Sequence, residues 1–555
     1  MATLGRERSI PSNYFWEDYM MMASMLGMMA SFSTGAGIFV YASLHRRQSK
    51  SQRAATVAKG MYLIAASVFI GTEFAAPGPS SLWFLGGGAL FAVGWVLESS
   101  NEKRRPPLRT GGFETGIAVA LPYRGTQRCI YLDYNATSPI FPEVSYEMVP
   151  FVGECFGNPS SAHALGKVCK AAVVKARTRV AALIGCSPEE VVFLASGSEA
   201  DNHAILASLA LHAEASAAAA SAAAAATAAA SSPSSSSSSS FGDSAAPDNH
   251  PKPPQQQHVV SSVIEHPAIT MCLDHLAAEG KVEVTYVGVD EEGRVSVEDV
   301  VEAFRPETAL VTIMHSNNEV GSLQPIKEIA QACRQRGILC HTDAAQSIGK
   351  VPVNVSDLRV DMLTLVGHKF GAPKGVAALF VRRGLALPPM VHGGGQEAGR
   401  RAGTENVLLI SGMGKAAEIV DAELDRLSKH LAAMREHLLE LLLAADLGEG
   451  VRVHGPRDPS LRLPNTLSIG IPGVEARVLL EKLSETVAAS AGSACHAGGT
   501  TMSGVLQAMG VDKPTGFGTL RLSVGRHTTP KEVKQAGAAI VREAKVMLAS
   551  SKKRS

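Results

Sequence analysis

Ile338-Leu339-Cys340-His341-Thr342-Asp343-Ala344-Ala345-Gln346, followed by Met362-Leu363-Thr364-Leu365-Val366-Gly367-His368-Lys369, decides how this chain folds. Each stretch opens with a short apolar run, Ile338–Cys340 and Met362–Val366, and breaks into polar residues. Such runs read as buried strands whose carboxyl ends carry function. Further strand-like runs occur at Val191–Leu194, Val259–Val263, Val282–Val287, Leu310–Met314 and Val376–Val381. Helical periodicity fills Ser161–Ile184, Val297–Phe304 and Ile326–Arg336. The alternation predicts an α/β fold, a mainly parallel sheet covered by helices. The helical segment Val407–Ala445 then leads to a smaller α+β region, Arg452 to Leu548.

Composition narrows the function. The chain has 555 residues, and 52 Lys and Arg against 51 Asp and Glu leave a net charge of +1. No basic excess is available to neutralise phosphates, which argues against a nucleic-acid binder. Eight cysteines in this length are too few for a disulfide scaffold. None form a CxxC pair or a zinc-spaced Cys/His cluster, so no metal site is expected. The thiols read as reduced, each acting alone.

The ends of the molecule differ. All three Trp (Trp16, Trp83, Trp95) lie in the first hundred residues, and no charge falls between Asp18 and His45. That run exceeds the roughly 20 residues that cross a bilayer. Gly60–Ile70 is a shorter apolar stretch, and Ser80–Leu97 a third. About three spans within residues 19–97 would place the basic loop Arg46–Lys59 and Lys103-Arg104-Arg105 on one cytoplasmic-type face, with the catalytic region beside them. A buried helical hairpin or an organellar targeting region is the alternative, and the sequence does not identify the membrane. A break of alanine, serine and proline runs at residues 213–257 reads as a surface-loop insertion.

Polar groups gather where the strands end. Val191–Leu194 runs into Ala195-Ser196-Gly197-Ser198-Glu199, a strand, glycine turn and helix start that can cup an anion. Asp343 on one strand and Lys369 after the next suit pyridoxal 5'-phosphate (PLP): the lysine bonds the cofactor, and the carboxylate keeps its ring nitrogen protonated. A structural ion pair would place the same two residues. Ala491-Gly492-Ser493-Ala494-Cys495-His496-Ala497-Gly498-Gly499-Thr500 is a small-residue loop that can expose one nucleophilic thiol. Arg521 and Arg526 follow, and either could clamp a carboxylate bidentately.

From about Tyr131 to Leu548 the sequence resembles the PLP-dependent cysteine desulfurases and their relatives the selenocysteine lyases, enzymes of the class-V aminotransferase type. The matching motifs include Tyr131–Thr137, Gly157–Ser161, Gly197-Ser198-Glu199, Glu265-His266, Asn317-Asn318-Glu319, His341–Gln346, Gly367-His368-Lys369, Gly393–Glu397, Arg401–Asn406 and the Cys495 loop. The resemblance implies the fold-type-I architecture of PLP-dependent transferases. Lys369 would be the Schiff-base lysine and proton shuttle, and Asp343 would pair with the pyridinium nitrogen. Gln346 and Asn318 would hydrogen-bond the ring hydroxyl, and His266 would stack on the ring. Gly197, Ser198 and His368 would hold the phosphate, with Thr404 reaching in from the other subunit of a homodimer. Arg521 would bind the substrate carboxylate, and Cys495 would accept the substrate sulfur as a persulfide. Two positions depart from the pattern: Val366 replaces a phosphate-binding serine common in desulfurases, and Ala398 replaces an arginine.

The leading expectation is therefore an L-cysteine desulfurase, which passes sulfur to an acceptor protein for iron-sulfur cluster assembly or another sulfur-transfer route. Selenocysteine lyase, acting on L-selenocysteine, is the second. A membrane-tethered scaffold with a dead enzyme fold is disfavoured by the intact Lys369, Asp343 and Cys495. An aminotransferase would have no use for the Cys495 loop. The expected organisation is an all-α membrane region (1–105), a linker (106–128), a large PLP-binding domain (129–405) and a small domain with the Cys loop (406–550).

Overall fold

The computed structural model describes residues 129–230, 256–496 and 499–551. The expected membrane spans and the linker 106–128 lie outside the described residues, as do 231–255 and 497–498.

Seven strands form the main sheet: β1 (Val191–Leu194), β2 (Gln257–Ser262), β3 (Val282–Val287), β4 (Thr308–Thr312), β5 (Leu339–Asp343), β6 (Met362–Val366) and β7 (Ala377–Val381). Their order is β1-β7-β6-β5-β4-β2-β3. Neighbours from β6 to β3 are parallel, whereas β7 runs against both β6 and β1. The sheet is thus mainly parallel with one reversed strand. Strands β4 to β7 are largely or wholly buried, as expected for a sheet covered on both faces.

Helices cover the sheet because their sequences carry apolar stripes at helical spacing. In α4 (Ile326–Arg336) the buried positions are Ile326, Ile329, Ala330 and Cys333. Helices α1 (Ala164–Ile184), α2 (Gly197–Ala230) and α3 (Pro267–Ala278) precede it, and the 37-residue α5 (Val407–Leu443) packs along α1. Gly185 ends α1 with φ 70°, a left-handed cap that a side chain would strain.

The alanine run does not begin a loop at residue 213. It extends α2 to Ala230, exposed throughout from 213 to 226, because alanine has the highest helix propensity. At the far end Gln257 already belongs to β2, and its Nε2 donates to the Leu209 carbonyl at 2.8 Å. Among the described residues, Gly197–Ala226 is the one helix long and apolar enough to cross a membrane. Ala200, Ala204, Ile205, Ala207 and Leu209 are nevertheless buried in the core, so its first turns belong to the folded body.

A second, antiparallel sheet is built from β8 (Arg452–His454), β9 (Thr466–Gly470), β10 (Ser490–Ala491) and, after the hairpin β11 (Ser493–His496) and β12 (Gly499–Met502), β13 (Thr519–Ser523). Its order is β10-β13-β9-β8. Ile130–Tyr131 pairs in parallel with Val487–Ala488, and Asp133 bridges Ser523. The first described residues therefore lie against the carboxyl-terminal sheet.

Candidate active site

Five main-sheet strands end at residues singled out from the sequence. Strand β1 leads to Gly197 and Ser198, β2 to His266, β4 to Asn318, β5 to Asp343 and β6 to His368 and Lys369. All five point the same way, so these residues share the carboxyl edge where open α/β sheets bind ligands.

Lys369 closes a single 3-10 turn after β6. Its Nζ donates to the Asn135 carbonyl at 2.7 Å and the Ala136 carbonyl at 3.0 Å. Burial, then the nearby Arg521 charge, pulls its pKa down to about 8, against the opposing pull of Asp343 and Asp133. A free amine is thereby available close to neutral pH. Asp343 is buried, and its Oδ1 accepts from the Ala345 N–H at 2.8 Å. Burial raises its pKa, while that N–H, His266 and Lys369 favour its anion. A cationic ring nitrogen is the partner such a carboxyl lacks.

His266 caps α3, with Nδ1 accepting from the Ala268 N–H at 3.1 Å. That bond leaves the proton of the neutral ring on Nε2. Desolvation first, and Lys369 as well, lower its pKa; Asp343 works against them. His368 bonds the Thr137 hydroxyl through Nδ1 at 3.1 Å, and burial holds its pKa down at about 4. Gly197 opens the cup with no room for a side chain: an added Cβ would stand 2.6 Å from Cγ2 of Val366. Ser198 beside it is exposed.

Arg521 lies on β13. It donates to the Asn318 carbonyl at 3.3 Å, to Asp133 Oδ1 at 2.9 Å and to the Ser490 hydroxyl at 2.9 Å. Among the described residues its Nε is buried without a partner. Gln346 is drawn away from solvent: Nε2 donates to the Asn135 carbonyl at 2.9 Å, and Oε1 accepts from Lys350 at 2.8 Å. Asn318 contributes its carbonyl to both Arg521 and Asn135. Cys495 sits on β11 opposite Thr500; its side chain lies outside the described residues. Thr404 is exposed on a cleft it shares with Phe193–Ala195 and Glu397, apart from the Lys369 cluster.

Three residues were not singled out for roles from the sequence. Asn135 accepts from Lys369 and Gln346 through its carbonyl and from Lys350 and Asn465 through Oδ1. Asp133 fixes Arg521. Both belong to the Tyr131–Thr137 motif, the only signal that could have found them. Lys350 is buried with no carboxylate beside it among the described residues; burial, Lys369 and Arg521 hold its pKa well below the usual lysine range.

The residues suit PLP. A glycine cup with no space for a Cβ, an amine titrating near neutrality, a buried carboxyl and an arginine with an unspent N–H are the groups that cofactor and an amino-acid substrate need. The Aminotransferase class-V family matches residues 130–231 and 237–536. This chain belongs to the PLP-dependent cysteine desulfurase family. It is 38% identical over 405 residues to cysteine desulfurase IscS of Clostridium botulinum, covering 73% of this chain and 91% of that protein. Cysteine desulfurase 1 of Trichormus variabilis is equally similar, with 90% of its length covered. Among solved structures, a NifS-like protein superposes with TM-score 0.62 at 30% identity, over 76% of this chain and 99% of that one. A structure of SspA in complex with cysteine superposes with TM-score 0.55 at 30% identity, over 72% and 99%.

Proposed function

We propose that the site described above carries out the cysteine desulfurase reaction of the family with Lys369 and Cys495 as its reacting groups and His266 stacked on the cofactor ring. The enzyme is a PLP-dependent cysteine desulfurase acting on L-cysteine. When bound, PLP supplies the electron sink that stabilises negative charge at the substrate Cα.

The chain's own groups do the rest. Gly197, Ser198 and His368 seat the phosphate, with Thr404 added from a second copy. Asp343 holds the proton on the ring nitrogen, while Asn318 and Gln346 border the ring hydroxyl and His266 its face. Arg521 orients the substrate carboxylate, steadied by Asp133 and Ser490. Lys369, as a free amine near pH 8, takes the proton from Cα and returns protons to the product. The Cys495 thiolate attacks the substrate sulfur; the C–S bond breaks, an S–S bond forms, and the carbon gains a proton as alanine leaves. The products balance as L-alanine and a persulfide on Cys495, which an acceptor protein then takes.

The single observation that carries this reading is Lys369, half-buried one turn after β6 with its amine drawn down to about 8, beside buried Asp343. Val366, packed against Gly197 in place of a serine, favours the selenocysteine lyase reading as the alternative. Sulfide and selenide release, assayed side by side from cysteine and selenocysteine, tests the two. Abolished sulfide release in Cys495→Ser supports the desulfurase; undiminished release removes Cys495 from the mechanism.

The reading extends to assembly and location. Val152, Phe156, Leu165 and Val168 are exposed apolar side chains on one stretch and on α1, the kind of patch a second copy covers. The two sheets support a plan of a large PLP-binding part to residue 405 and a small part to 550, with residues 130–133 pairing into the small part. The uncharged runs at 19–44 and 80–97 support attachment to a membrane, with the enzyme on the cytoplasmic-type face.

A further inference from the structure

Glu319 ends the Asn317-Asn318-Glu319 motif, and the mechanism above gives it no part. Its carboxylate is half-buried, and Oε2 accepts from the Ser503 hydroxyl at 2.5 Å. Ser503 stands at the foot of the hairpin that carries Cys495. The hairpin ends in the pair Ser493–Met502, and just beyond it the Ser503 N–H donates to the Gly492 carbonyl at 2.9 Å. The Ser503 oxygen accepts from the N–H groups of Val505 at 3.1 Å and Leu506 at 3.4 Å. Its own proton goes to Glu319.

Glu319 is fixed from the opposite side too. Asn317 Oδ1 accepts from the N–H of Glu319 at 2.8 Å and of Val320 at 3.0 Å. The neighbouring Asn318 carbonyl accepts from Arg521. One carboxylate therefore joins the foot of the Cys495 hairpin to the loop that borders the substrate-binding arginine. Burial raises the Glu319 pKa, and the Ser503 bond and Arg521 pull it back.

We propose that Glu319 is a positioning residue for sulfur transfer: through Ser503 it seats the hairpin foot so that Cys495 meets the substrate held by Arg521. The inference rests on the reading of Cys495 as the sulfur acceptor. It extends that reading to a residue whose carboxylate bonds the Ser503 hydroxyl at the hairpin foot.

The test uses the full-length holoenzyme with Glu319→Ala, Glu319→Gln, Ser503→Ala and the double alanine variant. Four quantities are read: single-turnover persulfide formation on Cys495 by mass spectrometry, KM for cysteine, cofactor content, and the rate of Cys495 alkylation without substrate. Each alanine variant should slow persulfide formation at least about tenfold, since each loses the charge-assisted Glu319–Ser503 hydrogen bond. KM and cofactor content should stay as in the wild type, while the alkylation rate changes. The double variant should lose no more than Ser503→Ala alone, since that variant already breaks the Glu319 contact along with the bonds from Val505 and Leu506. Glu319→Gln keeps an acceptor for the Ser503 hydroxyl and should return to within about threefold of the wild type.

Wild-type persulfide formation in Glu319→Ala, multiplied losses in the double variant, or a Glu319→Gln variant as slow as Glu319→Ala would each overturn the proposal. If Glu319→Ala does not fold, Ser503→Ala decides alone, and a wild-type rate there overturns it. Cys495→Ser runs beside them: undiminished cysteine turnover in that variant removes the reading of Cys495 whatever Glu319 does.

Discussion

Asp133 holds Arg521 in a 2.9 Å ion pair, with the Ser490 hydroxyl bonded to both partners. The arginine assigned to the substrate carboxylate is thus already aimed. Asp133→Ala removes a charge-assisted bond worth about 1.5–3 kcal/mol and lets the guanidinium wander. Steady-state kinetics should show KM for cysteine rising about tenfold, with kcat within about threefold of the wild type. A collapse of kcat at constant KM would give Asp133 a role in the chemistry instead.

Lys369 sets a pH dependence. Only the free amine attacks an aldehyde, and its pKa is drawn down to about 8. Capture of PLP by cofactor-free protein should therefore accelerate as pH rises and level off above about 8. Borohydride should fix the cofactor to Lys369, and Lys369→Ala should fix none. Cofactor found on another lysine would refute the assignment, and a plateau delayed to the ordinary lysine range would show the amine to be unburied.

Gly197 and Val366 form a steric pair. A Cβ at residue 197 would stand 2.6 Å from the Val366 methyl, so Gly197→Ala must push the cup apart. Equilibrium dialysis of cofactor-free protein should show PLP affinity falling about tenfold or more. Val366→Ser in the same chain makes room and should restore part of it. An alanine variant with unchanged affinity would move the phosphate site elsewhere.

Glu265 should make the enzyme less stable as pH rises from about 4.5 to about 8. Burial raises its pKa to about 8, against bonds from the Ser262 hydroxyl and the Met314 N–H. The folded form keeps the proton up to that pH, whereas the unfolded chain loses it near 4.5. Ionisation thus draws the equilibrium towards unfolding as pH rises between those values. Glu265→Gln keeps an acceptor oxygen and no longer titrates. Thermal melts should show the variant losing less stability from pH 5 to 8, a gain of about 2 °C or more at pH 8. Parallel curves for the two proteins would contradict the assigned protonation.

The amino-terminal region makes its own prediction. The full-length protein should resist alkaline carbonate extraction, and a chain beginning near Arg109 should be soluble and active. Release of the full-length protein by carbonate would leave a peripheral or targeting role for residues 19–97.

Apolar pattern located the elements best where apolar residues open and close the run. Val191–Leu194, Val282–Val287 and Met362–Val366 coincide with the observed strands, as Ile326–Arg336 does with its helix. Strand β5 was harder, because the expected run stops at Cys340 while the strand continues to Asp343. The added residues are polar, yet buried partners satisfy them: His341 bonds Thr312 and Thr364, and Thr342 the Ile313 carbonyl. Hydropathy cannot see a hydrogen bond that pays for burial. Lys350 was hidden for the same reason. A lysine reads as surface, and its partner Asn135 lies 215 residues away. Lys369 and Asp343 were legible because each follows a strong apolar run.

Residues 213–226 of α2 are exposed along their whole length. From Leu209 to Ala230 the helix advances about 32 Å. Residues 231–256 reach about 86 Å if fully extended, more than enough to return to Gln257 beside Leu209. The alanine segment can therefore gain or lose a turn without moving Gly197 at the other end. Repeat slippage in the encoding tract, which lengthens and shortens such runs, should be nearly silent for catalysis, and homologues should differ in length here more readily than anywhere else in the folded body.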